Sequence, residues 1–259
     1  RLAIRLGAID RPDERRIHAG SIPRLGGIAI AVGFFAPLTG LLVVYGDIGA
    51  MFKADIEKAI GIYVGGFAIL GLGIYDDIRG IGALGKFSVQ FAVAGLLYWL
   101  GFRMTALSTP FGGVLELGWL SLPVTFIWVA GVINAINLID GLDGLAAGVA
   151  LIAVSTIFGL SLMGDQPLMA LFTSALGGAL VGFLVFNFNP ATIFMGDSGS
   201  MFIGFVLAAA SLQTSTKSST AVAIFAPLVA LGLPLLDTAI AMIRRLRRRE
   251  PMFLADRDH

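Results

Sequence analysis

Long apolar segments, separated by short charged stretches, make up most of this 259-residue chain. Uncharged intervals of 22 residues after Arg24, 23 after Glu116, 21 after Asp143 and 31 after Asp165 alternate with four of 16 to 19 residues. A membrane-spanning helix needs about 20 mostly apolar residues, and backbone in lipid must satisfy its own hydrogen bonds. The pattern therefore predicts an all-α, polytopic integral membrane protein with about eight spanning helices. The expected ranges are 26–45, 59–75, 87–102, 121–139, 144–163, 167–187, 200–214 and 220–243.

Composition supports this interpretation and excludes several classes of protein. Apolar residues make up 57% of the chain and charged residues 14%, and the mean hydropathy is +0.89. These values exclude a soluble domain, a disordered segment and a nucleic-acid binder. The absence of cysteine excludes disulfides, thiolate metal sites and a cysteine nucleophile. Because the chain begins at Arg1 rather than Met, we expect residues 1–259 to be one membrane domain from a longer protein. Alternating residues in segment 103–120 predict a short hairpin.

The distribution of Lys and Arg predicts the orientation. Eight helices place both ends of the chain on one side, and that side carries 14 of the 18 basic residues. The other side carries Lys53, Lys58, Arg103 and Lys217. Loops on the cytoplasmic side are enriched in Lys and Arg, so both ends are expected to be cytoplasmic.

Carboxylates mark three of the predicted cytoplasmic helix ends. Asp76 and Asp77 are adjacent, Asp140 and Asp143 follow one apolar segment, and Asp197 lies in a glycine-rich stretch before another. Adjacent like charges are unfavourable unless they share a cation or a proton. Hard oxygen ligands in water-accessible loops suit Mg²⁺, which takes one or two carboxylates and leaves room for substrate phosphate. A plain helix N-cap is the alternative role for Asp197.

Polar and basic residues complete this candidate site. Asn134, Asn137 and Asp140 are spaced three residues apart, so in a helix they share one face. Lys86 stands alone near the Asp76–Asp77 pair, and Arg24 lies on the same predicted side. Carboxylates, a divalent metal and cations together suit phosphate groups, one on a lipid and one on a nucleotide. The non-enzyme alternative is an ion-coupled transporter, whose intramembrane acids would lie near the bilayer midplane.

Six stretches resemble the polyprenyl-phosphate N-acetylhexosamine-1-phosphate transferases, in family order and at family spacing. They are residues 10–18, 22–27, Asp76-Asp77 with Lys86, 134–144, 182–200 and 256–259. The resemblance implies transfer of a sugar 1-phosphate from a UDP-sugar to a polyprenyl phosphate with release of UMP. It also implies Mg²⁺ (or Mn²⁺) as cofactor, a bacterial inner-membrane location with a cytoplasmic site, no nucleic-acid partner and a homodimer as one option. Family helices are expected to be missing at both ends.

Two branches of that family compete. The muramoyl-pentapeptide branch has Thr-Pro-Thr-Met-Gly-Gly where this chain has residues 22–27, and Thr where it has Ile139. The resemblance therefore favours the N-acetylglucosamine-1-phosphate branch, with the phospho-N-acetylmuramoyl-pentapeptide transferases as the alternative. CDP-alcohol phosphotransferases share Asp140 and Asp143, but Gly148 stands where they have Arg, so they are excluded.

The resemblance also implies a role for individual residues. Asp197 is the expected metal ligand, and Asp76, Asp77 and His259 are the expected catalytic residues. The expected substrate-binding residues are Asn134, Asn137, Asp140, Asp143, Asn187, Phe194, Lys86 and Arg24. Phe194 is expected to stack on uracil, with lipid-facing anchoring of its loop as the simpler alternative.

Overall fold

Helices make up most of the computed structural model, which describes residues 9–10, 22–44, 46–108 and 113–217. The expected all-α class is confirmed for this part of the chain. In chain order the helices are α1 (Gly26–Val44), α2 (Gly46–Ala54), α3 (Ile56–Arg79), α4 (Ala83–Trp99), α5 (Ser121–Ile139), α6 (Leu145–Met163), α7 (Pro167–Asn187) and α8 (Gly196–Lys217).

Helix α8 lies at the centre of the bundle. It packs against α1, α3, α5, α6 and α7, and every residue from 198 to 214 is buried. This segment carries no charge, and a helix that is apolar on all sides is a core helix. The first turn of α8 therefore has neighbours on several sides, and its Asp197 lies where several helix ends meet.

Glycines allow the neighbouring helices to approach α8 closely. A side chain at Gly27 of α1 would collide with the backbone of Gly199, and a Cβ at Gly204 would lie 2.7 Å from the Cα of Ile133 on α5. Small residues at helix crossings are typical of membrane bundles, where close backbone contact replaces much of the hydrophobic driving force. These crossings lie within three turns of Asp197 and fix the helices that surround it.

Five of the described helices, α1, α3, α5, α6 and α7, are long and apolar enough to cross a membrane. The chain is therefore a multi-pass membrane protein. Helix α4 has 17 residues, and α8 begins at a polar cluster, so the structure supports fewer clear spans than the eight predicted. The predicted helix 220–243 lies outside the described residues, as do both chain ends whose sidedness was predicted.

Several helices extend further than expected at the ends that bear functional residues. Helix α3 continues to Arg79, so Asp76 and Asp77 lie in its last turn rather than after it. Helix α4 begins at Ala83, which places Lys86 in its first turn. Helix α8 begins at Gly196 rather than at residue 200, so Asp197 lies in the first turn of the helix and not before it. The short helix α2 was not predicted, because its nine residues show no long apolar run.

Two small antiparallel pairs complete the described fold. Strand β3 (Ala106–Ser108) pairs with β4 (Val114–Glu116), which confirms the predicted hairpin in segment 103–120. Strands β1 (Ile9–Asp10) and β2 (Ile22–Pro23) pair just before α1. The chain passes from β2 into α1 directly beside the start of α8, so this pair lies at the same end of the bundle as Asp197.

The two ends of the bundle differ in character. The carboxylates of α3 and α8 and the lysine of α4 lie at one end. The β3–β4 hairpin lies at the other, with Trp99 and Trp119 more than four-fifths exposed (83% and 82%). Exposed tryptophans are typical of a membrane–water interface. The tryptophan end and the carboxylate end therefore face opposite surfaces of the membrane.

Single cysteines would test the orientation, because the chain has none of its own. Gly82 and Glu116 are exposed at opposite ends, and a side chain at Gly82 would meet no neighbouring atom. We expect a membrane-impermeant maleimide to label Glu116→Cys in intact cells, and to label Gly82→Cys only after the membrane is opened. Labelling of Gly82→Cys in intact cells would show that the orientation is the opposite of the one predicted.

Candidate active site

Lys86 connects two acidic helix ends. Its ammonium forms ion pairs with Oδ2 of Asp76 on α3 and, at 2.7 Å, with Oδ2 of Asp197 on α8. The backbone N–H of Ile81, just beyond α3, donates to the other oxygen of Asp76 at 2.6 Å. One cation is thus shared by two carboxylates from different helices. The adjacent acids Asp76 and Asp77 do not share it, because Asp77 accepts backbone N–H groups instead.

Asn137 holds the other side of the Asp197 carboxylate. Its Nδ2 donates to Asp197 Oδ1 and to Ser200 Oγ, both at 2.9 Å. The Ser200 hydroxyl in turn donates to the carbonyl of Gly196 at 3.0 Å. Asp197 therefore has a fixed orientation, with Lys86 on one oxygen and Asn137 on the other.

Asp77 caps helix α8 from a neighbouring helix. The backbone N–H groups of Asp197 and Ser198 donate to its two carboxylate oxygens at 2.8 and 3.0 Å. The first N–H groups of a helix have no partner within the helix, and a negative charge there is favoured by the helix dipole. The alternative interpretation of Asp197 as the N-cap does not fit, because Asp77 has that role and the Asp197 carboxylate faces Lys86.

The segment before α8 is held against the segment before α1. Phe194 donates its backbone N–H to the carbonyl of Pro23 at 2.9 Å, and Gly26 and Gly27 donate to the carbonyls of Phe194 and Met195. Gly196 then has φ +72°, and a side chain there would collide with the carbonyl of Arg24. Only glycine fits this combination of backbone angle and close approach. Phe194 is thereby placed beside the site, and its stacking on uracil stays a prediction.

Asn187 and Asp143 are engaged with backbone groups. Asn187 Oδ1 accepts from Gly144 N–H at 3.1 Å, while its Nδ2 donates to the carbonyl of Ile193 at 3.0 Å. Asp143 Oδ2 accepts from Ala191 N–H at 3.0 Å. Both side chains therefore hold the loop between α7 and α8 against the loop after α5. Their predicted substrate contacts are not tested by this arrangement.

Asp140 directly follows α5 and is half-buried. Burial and the charges of Asp197 and Asp77 together raise the pKa of its carboxyl to about 8, against the opposing charge of Arg24. The carboxyl therefore keeps its proton to a higher pH than an exposed aspartate does. Arg24 thus lies close enough to act on the site electrostatically.

The structure brings together Asp76, Asp77, Lys86, Asn137 and Asp197. His259 lies outside the described residues. Gln90 was missed: it is fully buried, and its Oε1 accepts a hydrogen bond from Asn134. A signal for it was present, because Gln90 is a lone amide in an uncharged 16-residue interval, and polar side chains within membrane helices are commonly functional.

The donor set is suited to a divalent cation that also binds phosphate. Within the described ranges, no three acidic or histidine side chains form a ready-made metal cluster. Asp76 and Asp197 nevertheless lie close enough to share the Lys86 ammonium. A hard ion such as Mg²⁺ commonly uses one or two carboxylates and completes its coordination with water and substrate phosphate. The residues present fit such an ion.

A helical membrane bundle with this acidic, lysine-bridged end is consistent with an enzyme that acts at the membrane surface. The sequence model for glycosyl transferase family 4 matches residues 59–215, from the first turn of α3 to the last turn of α8. This range contains Asp76, Lys86 and Asp197. The chain belongs to glycosyl transferase family 4.

The chain is also similar to individual members of this family. The chain is 40% identical to the probable undecaprenyl-phosphate N-acetylglucosaminyl 1-phosphate transferase of Bacillus subtilis, over all of this chain and 70% of that relative. It is 35% identical to the decaprenyl-phosphate N-acetylglucosaminephosphotransferase of Mycobacterium tuberculosis, over all of this chain and 69% of that relative. The phospho-N-acetylmuramoyl-pentapeptide-transferase of Rubrobacter xylanophilus is 34% identical, over 80% of this chain and 64% of that relative.

The capping role of Asp77 can be tested apart from chemistry. Asp77→Ala leaves two N–H groups of α8 without their acceptor, and loss of an N-cap costs about 0.5–2 kcal/mol. We expect a lower melting temperature and faster hydrogen exchange at residues 196–200. Glu116→Ala, at an exposed position on the hairpin, is the control and should change neither. Unchanged exchange at residues 196–200 in Asp77→Ala would show that Asp77 does not cap α8.

Proposed function

We propose that this protein transfers N-acetylglucosamine 1-phosphate from UDP-N-acetylglucosamine to a polyprenyl phosphate, with release of UMP. The observation that carries the proposal is that Asp76 and Asp197 share the Lys86 ammonium at one rim of a membrane bundle. Such a rim can receive a lipid phosphate from the membrane and a nucleotide sugar from water. The names of the Bacillus and Mycobacterium relatives, each matched over the whole chain, support both the sugar and the lipid class.

Mg²⁺ is the cofactor we propose, with Mn²⁺ as a substitute, and Asp197 and Asp76 are the residues that would hold it. When bound, the ion would reduce the repulsion between two anionic phosphates and stabilise charge on the leaving UMP. Asn137 would orient the Asp197 carboxylate by donating from its Nδ2 to Asp197 Oδ1. Metal ligands are commonly held in position by such hydrogen bonds.

The two adjacent aspartates have different tasks in this proposal. Both oxygens of Asp77 accept backbone N–H groups of α8, so Asp77 positions the metal-binding helix. Asp76 keeps one oxygen directed at Lys86 and is the better candidate to face the lipid phosphate. Lys86 would then move its ammonium toward a substrate phosphate when a divalent ion takes its place. Positioning and electrostatics supply most of the rate in such a transfer.

The remaining predicted residues act around this centre. Arg24 and Asp140 lie beside it, Phe194 stacks on uracil, and His259 contacts the diphosphate. The protein lies in the inner membrane of a bacterium, and its site faces the cytoplasm, where UDP-sugars are present. A homodimer is one option for its assembly, and undecaprenyl phosphate is the lipid expected in a bacterium.

Donor choice tests the proposal directly. Purified protein in detergent, given undecaprenyl phosphate and Mg²⁺, should release UMP from UDP-N-acetylglucosamine and not from a UDP-muramoyl-pentapeptide. Because detergent removes any transmembrane gradient, this release also separates a transferase from an ion-coupled transporter. Use of the peptide-bearing donor alone would place the chain in the other branch of the family.

A further inference from the structure

A second layer of polar contacts lies one helical turn away from the candidate active site. Gln90 follows Lys86 by four residues on α4, and Asn134 precedes Asn137 by three on α5. Met201 follows Asp197 by four residues on α8. One turn of helix spans about 5.4 Å along its axis. The helices that bring Lys86, Asn137 and Asp197 together are therefore linked again one turn deeper in the bundle.

Gln90 is the centre of this second layer. Its side chain is completely buried, its Oε1 accepts from Asn134 Nδ2 at 2.7 Å, and its Nε2 lies 3.8 Å from the sulfur of Met201. A buried amide in apolar surroundings is unfavourable unless it is hydrogen-bonded. The bond to Asn134 therefore restricts how α4 can rotate or slide against α5.

Helix α4 depends on such side-chain contacts for its position relative to α8. Its main helix neighbours are α3 and α5, and these two helices are also the main neighbours of α8. Lys86 contacts Asp197, and one turn deeper Gln90 contacts Met201, so two side chains of α4 contact α8 directly. A small rotation of α4 would move the Lys86 ammonium away from the carboxylates, because a side-chain tip moves further than the helix axis.

Asn134 also serves this layer. Its Nδ2 donates to Gln90 Oε1 and to the carbonyl of Ala130, both at 2.7 Å, so both amide hydrogens are used within the bundle. This arrangement differs from Asn137, whose Nδ2 donates directly to Asp197. Asn134 is thus better placed to support α4 than to donate a hydrogen bond to substrate.

We propose that Gln90 is a positioning residue, whose bond to Asn134 holds α4 so that Lys86 meets Asp76 and Asp197 in the geometry the transfer needs. The expected change in turnover rests on the proposed function. The expected effect on the placement of Lys86 rests on the structure alone. Gln90 itself touches neither phosphate nor metal.

Gln90→Met removes the hydrogen bond with little change in volume, and Gln213→Met is a matched control. Gln213 is also buried, and its Nε2 donates to the carbonyl of Gly101 at 2.8 Å at the opposite end of α8. If Gln90 positions the site, Gln90→Met should lower kcat about tenfold with little change in KM for the nucleotide sugar, because a small displacement of a catalytic group, even one caused far from the chemistry, slows the reaction by up to about 100-fold. Gln213→Met should lower the melting temperature and leave kcat unchanged.

Mn²⁺ binding, followed by electron paramagnetic resonance, provides a readout independent of turnover. We expect Gln90→Met to weaken Mn²⁺ binding about tenfold, and Gln213→Met to leave it unchanged. Unchanged kcat and unchanged Mn²⁺ binding in Gln90→Met would overturn the positioning role. Equal losses in both variants would also overturn it, since they would indicate general destabilisation. Failure of the wild-type protein to release UMP would refute the proposed function separately, and the Mn²⁺ comparison would still decide the role of Gln90.

Discussion

The rest of the site depends on one interaction, the pair of ion pairs that the Lys86 ammonium forms with the carboxylates of Asp76 and Asp197. It joins the end of α3 to the starts of α4 and α8 and offsets part of a strong local negative charge. A single positive charge between two carboxylates does not neutralise them, so the cluster favours a further cation or a proton. The fold supplies this geometry through α8, whose buried path through the bundle fixes the position of Asp197.

Each group around this ion pair has a distinct mechanical task. Asp77 fixes the first turn of α8, Asn137 fixes the orientation of Asp197, and Gly196 allows the chain to turn sharply before the helix. These contacts come from three helices that lie far apart in the sequence. Several of the polar side chains at this rim therefore hold other parts of the site in place.

The sequence was sufficient to predict the all-α membrane class, the β3–β4 hairpin and the acids at one rim, because charge-free length and residue type depend on local sequence. It could not separate the tasks of Asp76 and Asp77, which are neighbours in sequence but contact different helices. The start of α8 at Gly196 was missed for a related reason: its cap comes from α3, 120 residues earlier. The lone amide of Gln90 marked the residue in the sequence, but its partner Asn134 is revealed only when α4 and α5 are packed together.

In the proposed function, the Asp197 carboxylate holds a catalytic cation and does not cap α8. The direct measurement is Mg²⁺-dependent UMP release by Asp197→Asn, with the melting temperature recorded on the same preparation. Because Asp77 caps α8 and an amide oxygen can still accept from Asn137, the variant should remain folded with a nearly unchanged melting temperature. Turnover should fall by orders of magnitude. Near-normal turnover at limiting Mg²⁺ would show that Asp197 is not needed as a ligand and would leave Asp76 as the remaining one.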